Sequence, residues 1–414
     1  MATIRSFCAL RPAKGYEQQI AAPPYDTLSS EEARQRAGEY SFLHVTKSEI
    51  DLPPETNAYD DGIYAKAREN LDAMVAKGLL AADGKPCLYI YRLTWRGKSQ
   101  TGLVACVSVD EYLSGVIKKH ELTLDTKEQD RIRHIKATDA NTGPVFLAYR
   151  SSDAVKAIIN DWTHKNPPTC DFEADDDVRH AVWVIDDASV IDALTSRFAG
   201  IPNLYIADGH HRSASTAKVC LAHRESDGGG KPEAEYNYYL SVIFPDDELY
   251  IMDYNRLIKD LNGYTGPGFV NELGRKWKVE RTDLTGAKPG EKYSFGMYLD
   301  GAWHKVTPAG SLLTDGMTPT EKLDVVVLQN EILTPLLGIG DLRTDKRISF
   351  VGGKRGLGEL QKRVDSGEMA VAFAVYPTSM SELFAIADAG DIMPPKSTWF
   401  EPKLRSGLFV HRLG

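Results

Sequence analysis

No apolar run in this sequence approaches the roughly 20 residues needed to cross a bilayer. The longest, such as residues 145–149 and 181–185, are of strand length. The N-terminal MATIRSFCALRPAKGY is interrupted by charges and lacks the apolar stretch of a secretory leader, so a soluble, cytoplasmic chain is expected. Cysteine is scarce. Cys8, Cys87, Cys106, Cys170 and Cys220 lie far apart, odd in number and without a CxxC pair, which excludes a disulfide framework and leaves small buried hydrophobes. Positive charge is in deficit, with 49 Lys and Arg against 58 Asp and Glu, a net charge of -9. Such a surface repels a phosphate backbone and, with no basic recognition helix, argues against a nucleic-acid partner. No GxxxxGK[ST] segment is present, so P-loop chemistry is excluded as well. Internal repeats and low-complexity tracts are also absent.

What is present is average for a globular protein: 42% hydrophobic, 26% charged and 9% aromatic residues in a chain of 414. At about 150 residues per domain, that length suggests two or three domains. Ser29 and Ser30 before EEARQRA read as the cap of a helix over residues 31–37. Residues 42–46 read as a strand. Residues 57–77 follow a helical period with Ile63, Ala67, Leu71, Met74 and Val75 on one face, closed by Gly78. Residues 86–95 and 101–109 flank a short Gly-containing loop and predict an antiparallel hairpin. A second hairpin is expected from residues 236–244 and 248–253. Hairpins mixed with helices favour an α+β fold with mixed or antiparallel sheets. The expected regions are 1–110, 111–262 and 263–414.

The densest chemical signal is YIADGHHRSASTA, residues 205–217. A short strand delivers Asp208 and Gly209 into a turn, with a helix expected just beyond Arg212. The unpaired N–H groups of a helix start favour an anion. Arg212 adds a fork matched to phosphate oxygens, His210 and His211 add donors, and Gly209 permits close backbone approach. Asp208 is placed to hold a metal or accept a proton. The alternative is a plain cap in which these side chains satisfy loop backbone. A zinc site is disfavoured, since neither HExxH nor paired-Cys spacing occurs.

A second segment, IKKHELT, places His120, Glu121 and Thr123 together, and a carboxylate there suits a general base toward a hydroxyl. Downstream, Lys127, Asp130, Arg131 and His134 share a helical face, which charge pattern alone reads as solvated. A third, MPPKSTWFEPKLRSGLF at 393–409, carries Lys396, Ser397, Thr398 and Lys403 as donors on a Pro-stiffened loop or, alternatively, in a surface turn. In AAPPYDTLSS at 21–30, Tyr25 and Asp26 either enter a pocket or shape the turn.

AAPPYDTLS, HELT at 120–123, NTGPVFLAY at 141–149, ADGHHR at 207–212 and MPPKSTWFEPKLRSGL together, in this order, resemble the DUF1015 family. DGHHR in turn resembles the phosphate signature of the ParB/sulfiredoxin-like superfamily, and within it that of free-serine kinases. The resemblance implies a ParB/sulfiredoxin-like core with large insertions and flanking regions. It also implies a phosphotransferase that moves a phosphoryl group from ATP or ADP, with Mg²⁺, to free L-serine. In that reading Gly209, His210, His211 and Arg212 hold the nucleotide. Asp208 sits near the metal or the reacting hydroxyl, Glu121 is the base, and Asp208 and His211 share in catalysis. His120, Thr123, Lys396 and Ser397 are left for substrate. Two features depart from the pattern. Glu121 and Asp208 stand 87 positions apart, which implies an insertion, and MDYNRLI has Asn255 where the family leads one to expect histidine. A ParB-like nucleotide-dependent regulator or nucleic-acid binder, and a metal-dependent hydrolase, are the alternatives.

Overall fold

Ser29 accepts a hydrogen bond from the Glu32 N–H while Glu32 reaches back to the Ser29 N–H, a capping box that starts helix α1 (Ser30–Arg36) where the sequence places it. The computed structural model describes residues 1–57, 59–312 and 316–414. They group into two units, residues 1–249 with 402–414, and residues 250–401. The stretch expected as a strand at 42–46 is instead a short helix, α2 (Leu43–Thr46). Its β-branched residues suggest a strand, but Phe42, Leu43 and Val45 are buried in a cluster with Ile20, Leu71 and Met74, and this packing overrides propensity. Helix α3 (Asp61–Ala76) follows, started by the Asp60 side chain accepting from the Gly62 N–H.

The first unit is built on a nine-stranded sheet. Its strands are β1 (Ile4–Arg5), β2 (Leu88–Trp95), β3 (Lys98–Ser108), β4 (Ile117–Lys118), β5 (Val145–Tyr149), β6 (Cys170–Glu173), β7 (Arg179–Ile185), β8 (Leu204–Asp208) and β9 (Tyr238–Pro245). The order is β4-β8-β5-β9-β3-β2-β7-β6, with β1 added on β3. β2 and β3 form the expected hairpin, with Trp95 opposite Lys98 across Arg96 and Gly97. β4 runs parallel to β8, and β5 parallel to β9; the other pairings are antiparallel. The fold is thus mixed α+β. Strand β9 pairs with β3 and β5, not with residues 248–253, so the second expected hairpin does not form. Two flanking apolar strands bury the β9 side chains more completely than a local hairpin could. Strands from both sides of residue 110 share this sheet.

Helices α4 (Asp125–Thr138), α5 (Asp153–Lys165), α6 (Ala188–Phe198) and α7 (His210–Ser226) complete this unit's main framework. The core joins Ile90, Leu103, Val107, Leu147 and Ile206 of the sheet to Val155, Leu194, Phe198 and Val219 of helices. In the second unit, β10 (Tyr254–Ile258), β11 (Trp277–Thr282), β12 (Phe295–Leu299), β13 (Ala302–Pro308), β14 (Ile348–Gly352) and β15 (Val371–Ala374) form an antiparallel sheet in the order β11-β13-β12-β15-β10-β14. No helix among the described residues is long and apolar enough to cross a membrane.

Candidate functional site

Strand β8 is held between β4 and β5, and its ladder shifts register between Ile206 and Asp208, which turns the strand's end out of the sheet. Gly209 follows with φ +99° and ψ 30°, a left-handed conformation open to glycine. Helix α7 then begins at His210, three residues before the expected start just beyond Arg212. No side chain caps it. The Ser213 N–H donates to the Gly209 carbonyl, so by helix geometry the N–H groups of His210, His211 and Arg212 have no partner inside the helix. Arg212 therefore lies in the first turn, alongside those donors.

Arg212 bridges two anchors. Nη2 donates to Asp208 Oδ2 at 2.7 Å, and Nη1 donates to the Pro144 carbonyl of the NTGPVFLAY segment. Lys403 Nζ donates to the other Asp208 oxygen at 3.0 Å. Burial pushes the Asp208 carboxyl up, but Lys403 and Arg212 outweigh it and hold the group well below the usual carboxylate range. One carboxylate thus stands against two cations. The helix N–H groups and the Arg212 guanidinium suit an added anion.

The loop carrying HELT is stitched to the start of α7. The His120 and His210 rings meet edge to face with centroids 4.5 Å apart, and the His120 N–H donates to His210 Nε2 at 3.5 Å. Burial holds both rings neutral, His120 at about 4 and His210 well below the ordinary imidazole value. Glu121 Oε2 lies 3.6 Å from His210 Nδ1. With a neutral imidazole this is proximity, not an ion pair. Leu124 N–H donates to His211 Nε2 at 3.0 Å, so His211 positions the start of α4. Thr123 donates its hydroxyl to Glu128, which is itself ion-paired with Lys218; that hydroxyl is spent on structure.

The structure therefore gathers His120, Glu121, Thr123, Asp208, Gly209, His210, His211 and Arg212 in one place. Lys396 and Ser397 belong to the second unit. There Lys396 Nζ lies 5.6 Å from the Tyr254 ring centroid and Ser397 Oγ donates to the Pro394 carbonyl. Asn255 is fully buried, donating to Asp253 and accepting from the Val375 N–H. Lys403, from the same C-terminal motif, was noted in the sequence as a donor but not as a partner of Asp208. Both ring nitrogens of His120 are buried without a hydrogen-bond partner among the described residues. Among the described residues no group of three His, Cys, Asp or Glu side chains is placed to hold a metal ion.

Similarity to solved structures is remote. A free serine kinase in complex with AMP shares 15% identity over 72% of this chain and 86% of its own, with a TM-score of 0.34. A conserved hypothetical protein from Pyrococcus furiosus shares 16% over 73% and 93%, with a TM-score of 0.34. SbnI with a C-terminal truncation, from Staphylococcus aureus, shares 12% over 73% and 85%, with a TM-score of 0.36. No curated protein matches the chain. Residues 4–326 match the family described as a protein of unknown function, DUF1015, and over that length the chain belongs to it.

Proposed function

We propose that the chain is a small-molecule kinase that transfers a phosphoryl group from ATP or ADP to the hydroxyl of free L-serine, giving O-phospho-L-serine. The observation that supports this most is the placement of Arg212 and three N–H groups without a partner inside the helix at the start of α7, with the Glu121 carboxylate beside His210. In this reading the N–H groups and Arg212 bind the phosphates and take up charge that grows on the equatorial oxygens in the transition state. Gly209 lets those oxygens approach the backbone. Glu121 accepts the hydroxyl proton as the serine oxygen bonds to phosphorus and the bond to the departing nucleotide breaks. His210 and His120, neutral and buried, position that carboxylate without competing for the proton.

Mg²⁺ commonly takes only one or two carboxylates, with phosphate oxygens and water supplying the rest. Asp208 offers one such carboxylate, and the ion would neutralise charge on the phosphates when bound. Two substitutions test the assignment. Arg212→Ala should lower transfer by about 10²–10³-fold through lost phosphate stabilisation. Glu121→Gln should keep ADP binding, read by calorimetry, while transfer disappears. Full turnover in either variant contradicts the role given to that residue.

A further inference from the structure

The Asp208 carboxylate is shared by two cations, one four positions away in sequence and one 195 positions away. Arg212 Nη2 stands 2.7 Å from Oδ2 and Lys403 Nζ 3.0 Å from Oδ1, so each oxygen has its own charged donor. Burial pushes the carboxyl up, and Lys403, ahead of Arg212, pulls it down. Arg212 has a further anchor in the Pro144 carbonyl, which accepts from Nη1.

Lys403 is not a loose surface lysine. Its side chain is 19% exposed, and Leu404, Arg405 and Ser406 behind it are buried. The Arg405 N–H donates to the Tyr91 hydroxyl at 3.3 Å, and its guanidinium donates to Asp176 at 2.7 Å. The Ser406 N–H donates to the Ala22 carbonyl at 2.8 Å. These tethers fix the backbone that delivers Nζ to Asp208.

An anion at the start of α7 is met by Arg212, but Nη2 is already committed to Asp208. Turning it to a phosphate oxygen removes one partner from a partly buried carboxylate. Were Arg212 the sole counter-ion, that carboxylate would be left unpaired, which is costly. With Lys403 in place it keeps a charged donor, and Nη1 on the Pro144 carbonyl serves as the pivot.

We infer that Lys403 is a positioning residue for phosphate binding: by holding Asp208 it releases Arg212 to the anion. This rests on the kinase reading only in taking the start of α7 as the phosphate site. The test is calorimetric titration of the full chain with pyrophosphate and, separately, ADP, both without Mg²⁺. Lys403→Met should lower both affinities about tenfold, because Arg212 is then the only partner left to Asp208. Lys403→Arg keeps a cation in reach of Asp208 and should stay within about threefold of wild type. Asp208→Asn should raise affinity about tenfold in the Lys403→Met chain, yet less than about threefold in the wild-type background, where Lys403 already answers the carboxylate. Affinities are read below the melting temperature of each variant, so a lysine that only stabilised the fold would leave them unchanged.

Lys403→Met with wild-type affinity overturns the inference, as does Lys403→Arg as weak as Lys403→Met. Equal gains from Asp208→Asn in the two backgrounds overturn it too, since they are the additive field effect of one charge. A wild-type chain that binds pyrophosphate but not ADP refutes the kinase reading, and the pyrophosphate series still decides the role of Lys403. A chain that binds neither overturns the inference itself.

Discussion

Gly209→Ala perturbs the proposed phosphate site with a single methyl group. A Cβ there would stand 3.0 Å from Arg212 Nε and 3.1 Å from both Cζ and Nη2. Backbone adds a second cost, because φ of +99° is a conformation that an L side chain occupies at a penalty of about 1–2 kcal/mol. The guanidinium is the flexible end of a long side chain, so it should give way and lose its pairing with Asp208. Together these should lower stability by about 1–3 kcal/mol, the range of a strained left-handed position, and lower the melting temperature by a few degrees. The displaced Arg212 should also weaken ADP binding and reduce transfer about 10²-fold. Gly228→Ala is the control. Gly228 has φ +73° and nothing within 4 Å of a built Cβ, so that variant carries the backbone penalty without touching the site. Thermal melts, ADP calorimetry and turnover on both variants separate the two effects. A Gly209→Ala chain that melts, binds and turns over like wild type would refute the reasoning, as would equal functional loss in Gly228→Ala.

Stability should also depend on pH through buried histidines. His120 is held at about 4 and His180 at about 3, and His134 and His210 well below the ordinary value, in each case chiefly by burial. All four are neutral when folded but titrate near pH 6.5 when unfolded. The unfolded chain therefore binds more protons below that pH, and stability present above it falls as pH drops toward the folded values, by about 1.4 kcal/mol per pH unit for each ring. Melts across pH 7 to 4.5 should show a steep decline; a flat profile would contradict the buried, neutral state. Lys403→Met should cost about 1 kcal/mol at low salt, since the pair it makes with Asp208 is partly exposed, and the difference should shrink in 1 M salt. A denaturant midpoint unchanged at low salt would show that this pair contributes nothing.

Elements specified by neighbouring residues were legible in the sequence. The Ser29–Glu32 capping box, the helical face through Ile63, Ala67 and Leu71, and the hairpin turned at Arg96 and Gly97 all depend on contacts a few positions apart. What the sequence hid depends on distant partners. Residues 42–46 are drawn into a helix by a cluster that includes Leu10 and Val410, far off in the chain. Strand β9 takes its partners from β3 and β5. The start of α7 at His210 was obscured because Gly209, without a capping side chain, opens the helix by its conformation alone. Within the candidate site, the cluster at 208–212 was legible as a run of polar residues after an apolar strand. The contact of Lys403 with Asp208, 195 positions away, was not, although Lys403 lies in a motif already singled out. His134 read as part of a solvated helix face because its charged neighbours gave no sign of its burial.

The most direct test of phosphoryl transfer is phosphorus NMR of the purified chain incubated with ATP or ADP, Mg²⁺ and L-serine or other hydroxyl-bearing amino acids. The expected result is a new phosphomonoester resonance that grows as the nucleotide is consumed, and that is lost in Arg212→Ala. Nucleotide left intact with every hydroxyl compound offered, or consumed with release of inorganic phosphate alone, would contradict it.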